Sequence, residues 1–353
     1  MSIPILQPHI PHYRESFFRK LNQKLSVEIY CYEANNASKS GFQNATIPFD
    51  KINAISKGPF LWFNPITFLK SKSKKWILML HFGHLTTWLL LLTKFLHQRE
   101  IILWGQGISV KRYLEEDLNP DWKLKLMIAL SDGLWLYTEK EAKQWKAIFP
   151  NKKIVALNNT QECKIPKMTN KEDIQNLKLK YGIPQERVLI FSARFENPYR
   201  RTDLLIEVLK HLDKDKFGFI IIGDGSLKPD FSSFSNVYDY GRLYDENVKS
   251  DLFSIADIYF QPGWVGLSIV EAMAYSLPIF TFERSNEIKQ CVEYYYVQNN
   301  VNGMIFKTLH ACINEIENAS DNKLQELGNN SFLLYSNKLT IENMVNNAIK
   351  TIV

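Results

Sequence analysis

The run Gly263-Trp264-Val265-Gly266-Leu267-Ser268-Ile269-Val270-Glu271-Ala272-Met273-Ala274 joins a glycine-containing loop to an apolar helical pattern that carries a single carboxylate. Backbone amides of such a loop, at a helix start, can meet a diphosphate without side-chain charge. A carboxylate further along can accept hydrogen bonds from ribose hydroxyls; on an ordinary amphipathic helix the same glutamate would simply face solvent. Gly223-Asp224-Gly225 follows a second apolar run, but the third glycine of a dinucleotide fingerprint would fall on Lys228, so the triplet alone specifies no more than a tight turn. His81 and His84 have the spacing of two metal ligands without a third in view, which reads as core or cleft histidines, and no metal site is expected.

These residues need a scaffold, and the alternation of short apolar runs with helical patterns supplies one. In the first half the strands are Ile3–Leu6, Val27–Tyr32, Trp76–Leu80, Ile101–Trp104 and Gly133–Tyr137, and the helices Arg14–Leu25, Leu85–Leu96, Trp122–Leu130 and Glu139–Phe149. The pattern restarts with strands Val188–Ser192, Phe217–Ile222, Val237–Tyr240, Ile258–Phe260 and Pro278–Phe282, and helices Thr202–Leu212, Asn247–Ser254 and Ser268–Tyr275. Such alternation predicts an α/β chain with two doubly wound parallel sheets. Ligands of such sheets bind at the carboxyl ends of the strands. Asn158-Asn159-Thr160 and the polar Thr169–Asp173 read as the linker. Trp76–Leu96 is long and apolar enough to span a membrane, but His81, Gly83, His84 and Lys94 favour a strand followed by a buried or interface-facing helix.

The run closing at Leu277-Pro278-Ile279-Phe280 resembles the signature of the family 4 glycosyltransferases, enzymes of the GT-B fold. The likeness extends in order over roughly residues 154–306. Ser192–Leu205 resembles the family's arginine, Lys-Gly pair and helix opening Asp-Leu-Leu: Arg194 matches the arginine, Arg200 the lysine, and Arg201 replaces the glycine, with one extra residue before Asp203. Gly223-Asp224-Gly225 with Val237–Leu243 resembles the loop pair that encloses the base, which would lie near Arg242 and Leu243. Where the family has a second glutamate eight positions before Glu271, this chain has Gly263. Glu293 and Asn302-Gly303 match a further acidic position and turn. Asp213-Lys214-Asp215 imitates the metal-binding pair of the other glycosyltransferase fold, but its place between a helix and a strand does not suit that role.

The resemblance implies two Rossmann-like domains facing a cleft: residues 1–160 on the acceptor side, rejoined by helix 340–353, and 161–339 binding the donor. It implies transfer of a sugar from a nucleotide diphosphate sugar, UDP- or GDP-linked, with retention and with no metal or cofactor. Arg194 and Arg200 would stabilise the departing diphosphate. Glu271 would hold the ribose, the amides of Val265, Gly266 and Leu267 the sugar or phosphate, and Trp264 would offer a face to the sugar ring. On the acceptor side the candidates are His9 and His12, in the loop after the first strand, and Gln106, where many relatives carry a histidine. Gln106 orients a hydroxyl but takes no proton. The acceptor would be a saccharide or lipid-linked saccharide in bacterial polysaccharide or glycoconjugate synthesis. Gly263 and Gln106 motivate a second expectation, a catalytically weak homologue that serves as a nucleotide-sugar- or lipid-binding partner subunit.

The chain of 353 residues, 45% hydrophobic, is long and apolar enough for two cores and excludes a disordered protein. Basic residues outnumber acidic ones 22 to 12 up to position 160, and acidic ones lead 25 to 21 beyond it. A basic first half calls for an anionic partner. No nucleic-acid-binding motif is present. Lys70-Ser71-Lys72-Ser73-Lys74-Lys75 beside Leu85–Leu96 reads as a solvated loop or as an anchor to an anionic membrane face. Cys31, Cys163, Cys291 and Cys312 are too scattered for a disulfide framework. Met1–Pro8 lacks the pattern of a secretory signal. The expected location is therefore cytoplasmic, peripheral at the inner membrane face.

Overall fold

The computed structural model describes residues 1–33, 46–164 and 170–352. The chain forms two compact units, Met1–Glu162 with Leu339–Val353, and Cys163–Lys338. The first contains β1 (Ile3–Gln7), α1 (Glu15–Lys24), β2 (Val27–Cys31), β3 (Asp50–Lys51), β4 (Ala54–Lys57), β5 (Phe60–Phe63), α2 (Ile66–Leu69), β6 (Lys75–Met79), α3 (Leu85–Leu92), α4 (Lys94–His97), β7 (Glu100–Gly105), α5 (Tyr113–Leu118), α6 (Trp122–Leu130), β8 (Gly133–Leu136), α7 (Glu139–Ile148) and β9 (Lys153–Ala156). The second contains α8 (Lys171–Tyr181), β10 (Arg187–Ser192), α9 (Thr202–His211), β11 (Phe217–Ile222), β12 (Val237–Asp239), α10 (Glu246–Ile255), β13 (Ile258–Phe260), α11 (Ser268–Ala274), β14 (Ile279–Phe282), β15 (Gly303–Phe306), α12 (Leu309–Asn318) and α13 (Asp321–Lys338). The last helix, α14 (Ile341–Ile352), returns to the first unit.

Among the described residues the first unit has a parallel sheet in the order β3-β2-β1-β6-β7-β8-β9. Successive residues of its strands point to opposite faces. Ile77, Ile102 and Trp104 join Phe17, Phe18, Met344 and Val345 on one side, while Trp76, Leu78 and Leu103 join Leu90, Leu91 and Trp145 on the other. Helices thus cover both faces, with α1 and α14 sharing one. The second unit has a parallel sheet in the order β12-β11-β10-β13-β14-β15. Leu189, Phe191, Phe219 and Ile221 pack with Leu205, Val208, Cys312 and Ile316 on one of its faces. In both units the strand order runs outward one way and then reverses, between β1 and β6 and between β10 and β13. At such a reversal two neighbouring loops diverge and open a crevice at the strand ends.

Several local expectations are corrected. Leu85–Leu96 is two helices, parted at Thr93, whose hydroxyl donates to Leu89 O at 2.7 Å beside its own amide, a back-bond that bends helices. Of the expected linker, Thr169 lies outside the described residues. Asn170 begins a helix: it caps α8 in a reciprocal capping box with Asp173. The antiparallel β4–β5 hairpin has no counterpart among the expected elements. Among the described residues no helix is long and apolar enough to cross a membrane.

Candidate functional site

The loops that follow β10 and β13 leave neighbouring strands at the reversal of the second sheet. The first carries Arg194 and then a short 3-10 turn, Pro198–Arg200, capped by Asn197, whose Oδ1 accepts from Tyr199 N at 2.9 Å. The second carries Gly263–Leu267. Arg200 ties them, its Nη1 donating to Trp264 O at 2.7 Å, and the Tyr199 and Trp264 rings stack at 5.2 Å. Arg200 Nε is shielded from solvent and has no partner among the described residues. Burial, with a contribution from the neighbouring Arg194 guanidinium, lowers the Arg200 pKa from its ordinary value. A guanidinium desolvated and crowded by a like charge is one that an anion would stabilise.

Two buried glutamines hold the second loop. Gln261 Oε1 accepts from Tyr259 Oη at 2.9 Å and Ser268 Oγ at 3.1 Å, while its Nε2 donates to Trp264 O at 2.8 Å and Gly263 O at 3.1 Å. Gln290 Oε1 accepts from Val265 N at 2.8 Å, and its Nε2 donates to Phe282 O at 2.9 Å and Thr281 Oγ1 at 3.1 Å. This corrects the expectation for Val265: its amide is committed to Gln290 and its side chain is buried, so it offers nothing to a ligand. The amides of Gly266 and Leu267 have no protein acceptor among the described residues. Trp264 sits at φ 51, a conformation side chains rarely adopt, and gives one ring face to Tyr199.

Gly263 is closely packed. A Cβ there would lie 2.4 Å from Tyr199 O and 3.0 Å from Arg201 Cγ. Arg201 has φ 53, the left-handed region that glycine enters without cost, and its side chain pairs with Asp203 at 2.6 Å. The space beside Gly263 is therefore filled from the 197–201 loop.

Glu271 is in the first turn of α11, buried, with 8% of its side chain exposed, and pairs with Lys249 of α10 at 2.7 Å. Burial raises its pKa, and Lys249 opposes that rise. Burial also lowers Lys249, but Glu271, then Glu246, outweigh it, and the net shift is upward. Glu271 is thus no surface-facing helix residue.

Gly223 and Gly225, at φ 137 and 152, let the turn after β11 press against the Arg194 loop: a Cβ on Gly223 would lie 2.0 Å from Ala193 O. Arg242 is exposed and pairs with Asp224 at 3.3 Å, with Leu243 half-buried beside it. The structure thus brings Arg194, Arg200, the 263–267 loop and the Gly223 turn together at one sheet end.

The first unit places His9 and His12 after β1 and Gln106 after β7, at strand carboxyl ends. His12 is exposed, and Gln106 is half-buried. His84 is buried 4.9 Å from His81, ring to ring, and burial lowers its pKa to about 3. Among the described residues no three His, Cys, Asp or Glu side chains are grouped to hold a metal ion. Sequence reasoning missed Lys249, Gln261, Gln290 and the packing role of Tyr199. Only Gln261, a polar residue directly after the apolar β13, left a signal.

Two doubly wound units, with the loops described lying at a strand-order reversal, define a class. HepE of Anabaena, in complex with UDP and glucose, has this fold: it is 13% identical over 100% of this chain and 99% of that one, with a TM-score of 0.66. The lipopolysaccharide outer core galactosyltransferase WaaB is 12% identical over 100% of both chains at 0.63, and WaaG, a glycosyltransferase involved in lipopolysaccharide biosynthesis, is 13% identical over 99% of both at 0.61. The fold is that of the GT-B glycosyltransferases. Residues 186–322, within the second unit, match the family model of the group 1 glycosyl transferases. No curated protein sequence matches the chain.

Proposed function

We propose that this GT-B glycosyltransferase moves a sugar from a nucleotide diphosphate donor, UDP- or GDP-linked, to a saccharide or lipid-linked saccharide, with retention and without a metal. In this reaction the bond between sugar C1 and the diphosphate oxygen breaks, the acceptor oxygen bonds to C1, and the acceptor proton passes to the departing diphosphate. Arg194 and Arg200 take up the charge that develops on the diphosphate. Glu271, paired with Lys249, accepts from the ribose hydroxyls, and the Gly266 and Leu267 amides hold the sugar or phosphate. The observation that carries the reading is the partly buried Arg200, tied to Trp264 O and crowded by Arg194 at the sheet reversal, inside the stretch that matches the group 1 family model. HepE, with the same fold, has been crystallised with UDP and with UDP-glucose, which supports UDP-sugars as the first donors to test.

Gly263, with its side-chain space closed by Tyr199 and Arg201, favours the second reading, a binding subunit that turns over weakly. Thermal shift of the full chain against UDP, GDP, dTDP and CMP sugars tests the first. A true ligand at about a hundred times its dissociation constant adds about 2.7 kcal/mol of stability. No shift with any of them overturns donor binding. A shift without sugar transfer or donor hydrolysis selects the binding subunit.

A further inference from the structure

Exposed large apolar side chains are unevenly spread: of twenty among the described residues, ten lie between Ile55 and Leu96, on elements that touch. The β4–β5 hairpin sets Ile55 opposite Trp62 and Lys57 opposite Phe60. Leu61 and Phe63 are buried, so the outer face carries Ile55, Phe60 and Trp62. Helix α3 is latched to the hairpin through Thr86 Oγ1, which donates to Phe63 O at 2.6 Å and accepts from Phe63 N at 2.8 Å. Its buried side is Thr86, Thr87, Leu90 and Leu91. Leu85, Leu89 and Leu92 form the opposite, exposed stripe, continued in α4 by Phe95 and Leu96, exposed by 74% and 71%. Helix α6 packs beside α3, and Lys123 lies over the rings of both Phe82 and the exposed Trp122.

The charge carried by the segment that forms this face has one sign. From Lys51 to Arg99 the chain has eight Lys or Arg and no Asp or Glu. Lys75 and Lys94 pair with Glu100 and Asp132, but Lys57, Lys70, Lys72 and Lys74 have no acidic partner among the described residues. Apolar and aromatic side chains ringed by unpaired lysines suit an anionic bilayer surface, where rings enter the interface and ammonium groups meet lipid phosphates. A second copy would set like charges against these lysines.

We propose that the β4–β5 hairpin with α2, α3 and α4 docks this unit on an anionic lipid bilayer, lying on it without spanning it. The proposal is independent of the transfer reaction and is tested without it. The full chain is floated with phosphatidylcholine vesicles and with vesicles containing about one third phosphatidylglycerol. Flotation is expected only with the second. The Trp62→Ser, Phe95→Ser double variant and the Lys70→Gln, Lys72→Gln, Lys74→Gln triple variant are expected to lose it, the triple by roughly a hundredfold in partitioning at about fivefold per lysine. Leu333→Ser, an exposed apolar position in the other unit, is expected to float like the parent. The altered side chains are all exposed, and unchanged circular dichroism checks that each variant is folded. Failure to float with anionic vesicles, flotation indifferent to both variant sets, or a dimer that the apolar variant abolishes without vesicle binding overturns the proposal.

Discussion

Replacing Lys249 with methionine keeps most of the side-chain volume and removes the ammonium that sits 2.7 Å from Glu271. Removing one partner of a buried ion pair typically costs 3–5 kcal/mol, because the other charge is left uncompensated. Lys249 retains about a fifth of its exposure and also reaches the exposed Glu246 at 3.5 Å, so the low end, about 3 kcal/mol, is expected. In a unit of this size that is a fall of roughly 6–12 °C in melting temperature. The loss must depend on pH. The folded-state pKa of Glu271 is already raised by burial and rises further without Lys249, so its stability contribution is present below the unfolded value and lost as pH climbs through the folded one. The deficit of Lys249→Met is therefore larger near about pH 8 than near about pH 5, where the carboxyl takes up a proton. Calorimetry of parent and variant at both pH values reads this directly. The double variant with Glu271→Gln, which leaves no charge to bury, should recover most of the loss at about pH 8. Equal deficits at the two pH values, with no recovery in the double variant, would refute the role assigned to the pair.

Arg194→Ala is expected to lower turnover by about two to three orders of magnitude while moving the melting temperature by no more than about 2 °C, because the side chain is partly exposed and, in the proposed reaction, its charge acts on the leaving group. Unchanged activity in a transfer assay would remove Arg194 from the site. Gly263→Glu, which restores the carboxylate of typical family members, is expected to lower both stability, by about 2 kcal/mol, and turnover, since its Cβ would lie 2.4 Å from Tyr199 O. Gly263→Ala should share the stability loss without the charge, and a turnover gain in Gly263→Glu would contradict the steric account.

Strands buried on both faces were legible because they are continuous apolar runs: β11 and β13 begin and end where the run does. Elements lacking that signal were missed. Helix α8 buries no side chain fully, and its short stripe of Ile174, Leu177 and Tyr181, only half-buried, is a weak signal among charged residues. Helix α13 is interrupted on paper by Gly328-Asn329-Asn330-Ser331, although Ser331 is buried with its hydroxyl donating to Asn302 O. Each strand of the β4–β5 hairpin has four residues, and β5, apolar on both faces, shows no alternation. In the candidate site, the arginines, glycine turns and Glu271 could be singled out in sequence, because each is a residue type with a chemical reason for its place in the proposed reaction. Their supports, Lys249, Gln261 and Gln290, act only through contacts that folding creates.

Three departures from the family pattern read separately in sequence: one extra residue before Asp203, Arg201 in place of glycine, and Gly263 in place of glutamate. In the structure they are one packing solution. The loop after β10 makes the Asn197-capped turn, which brings Tyr199 O to the position a side chain at 263 would need. Arg201, held at φ 53, sends its side chain across the same glycine before pairing with Asp203. With that space filled, only a residue without Cβ fits at 263, and the Tyr199–Trp264 stack stands beside it. Gly263 is thus enforced by residues more than sixty positions earlier, and restoring a carboxylate there requires shortening the 197–201 loop as well.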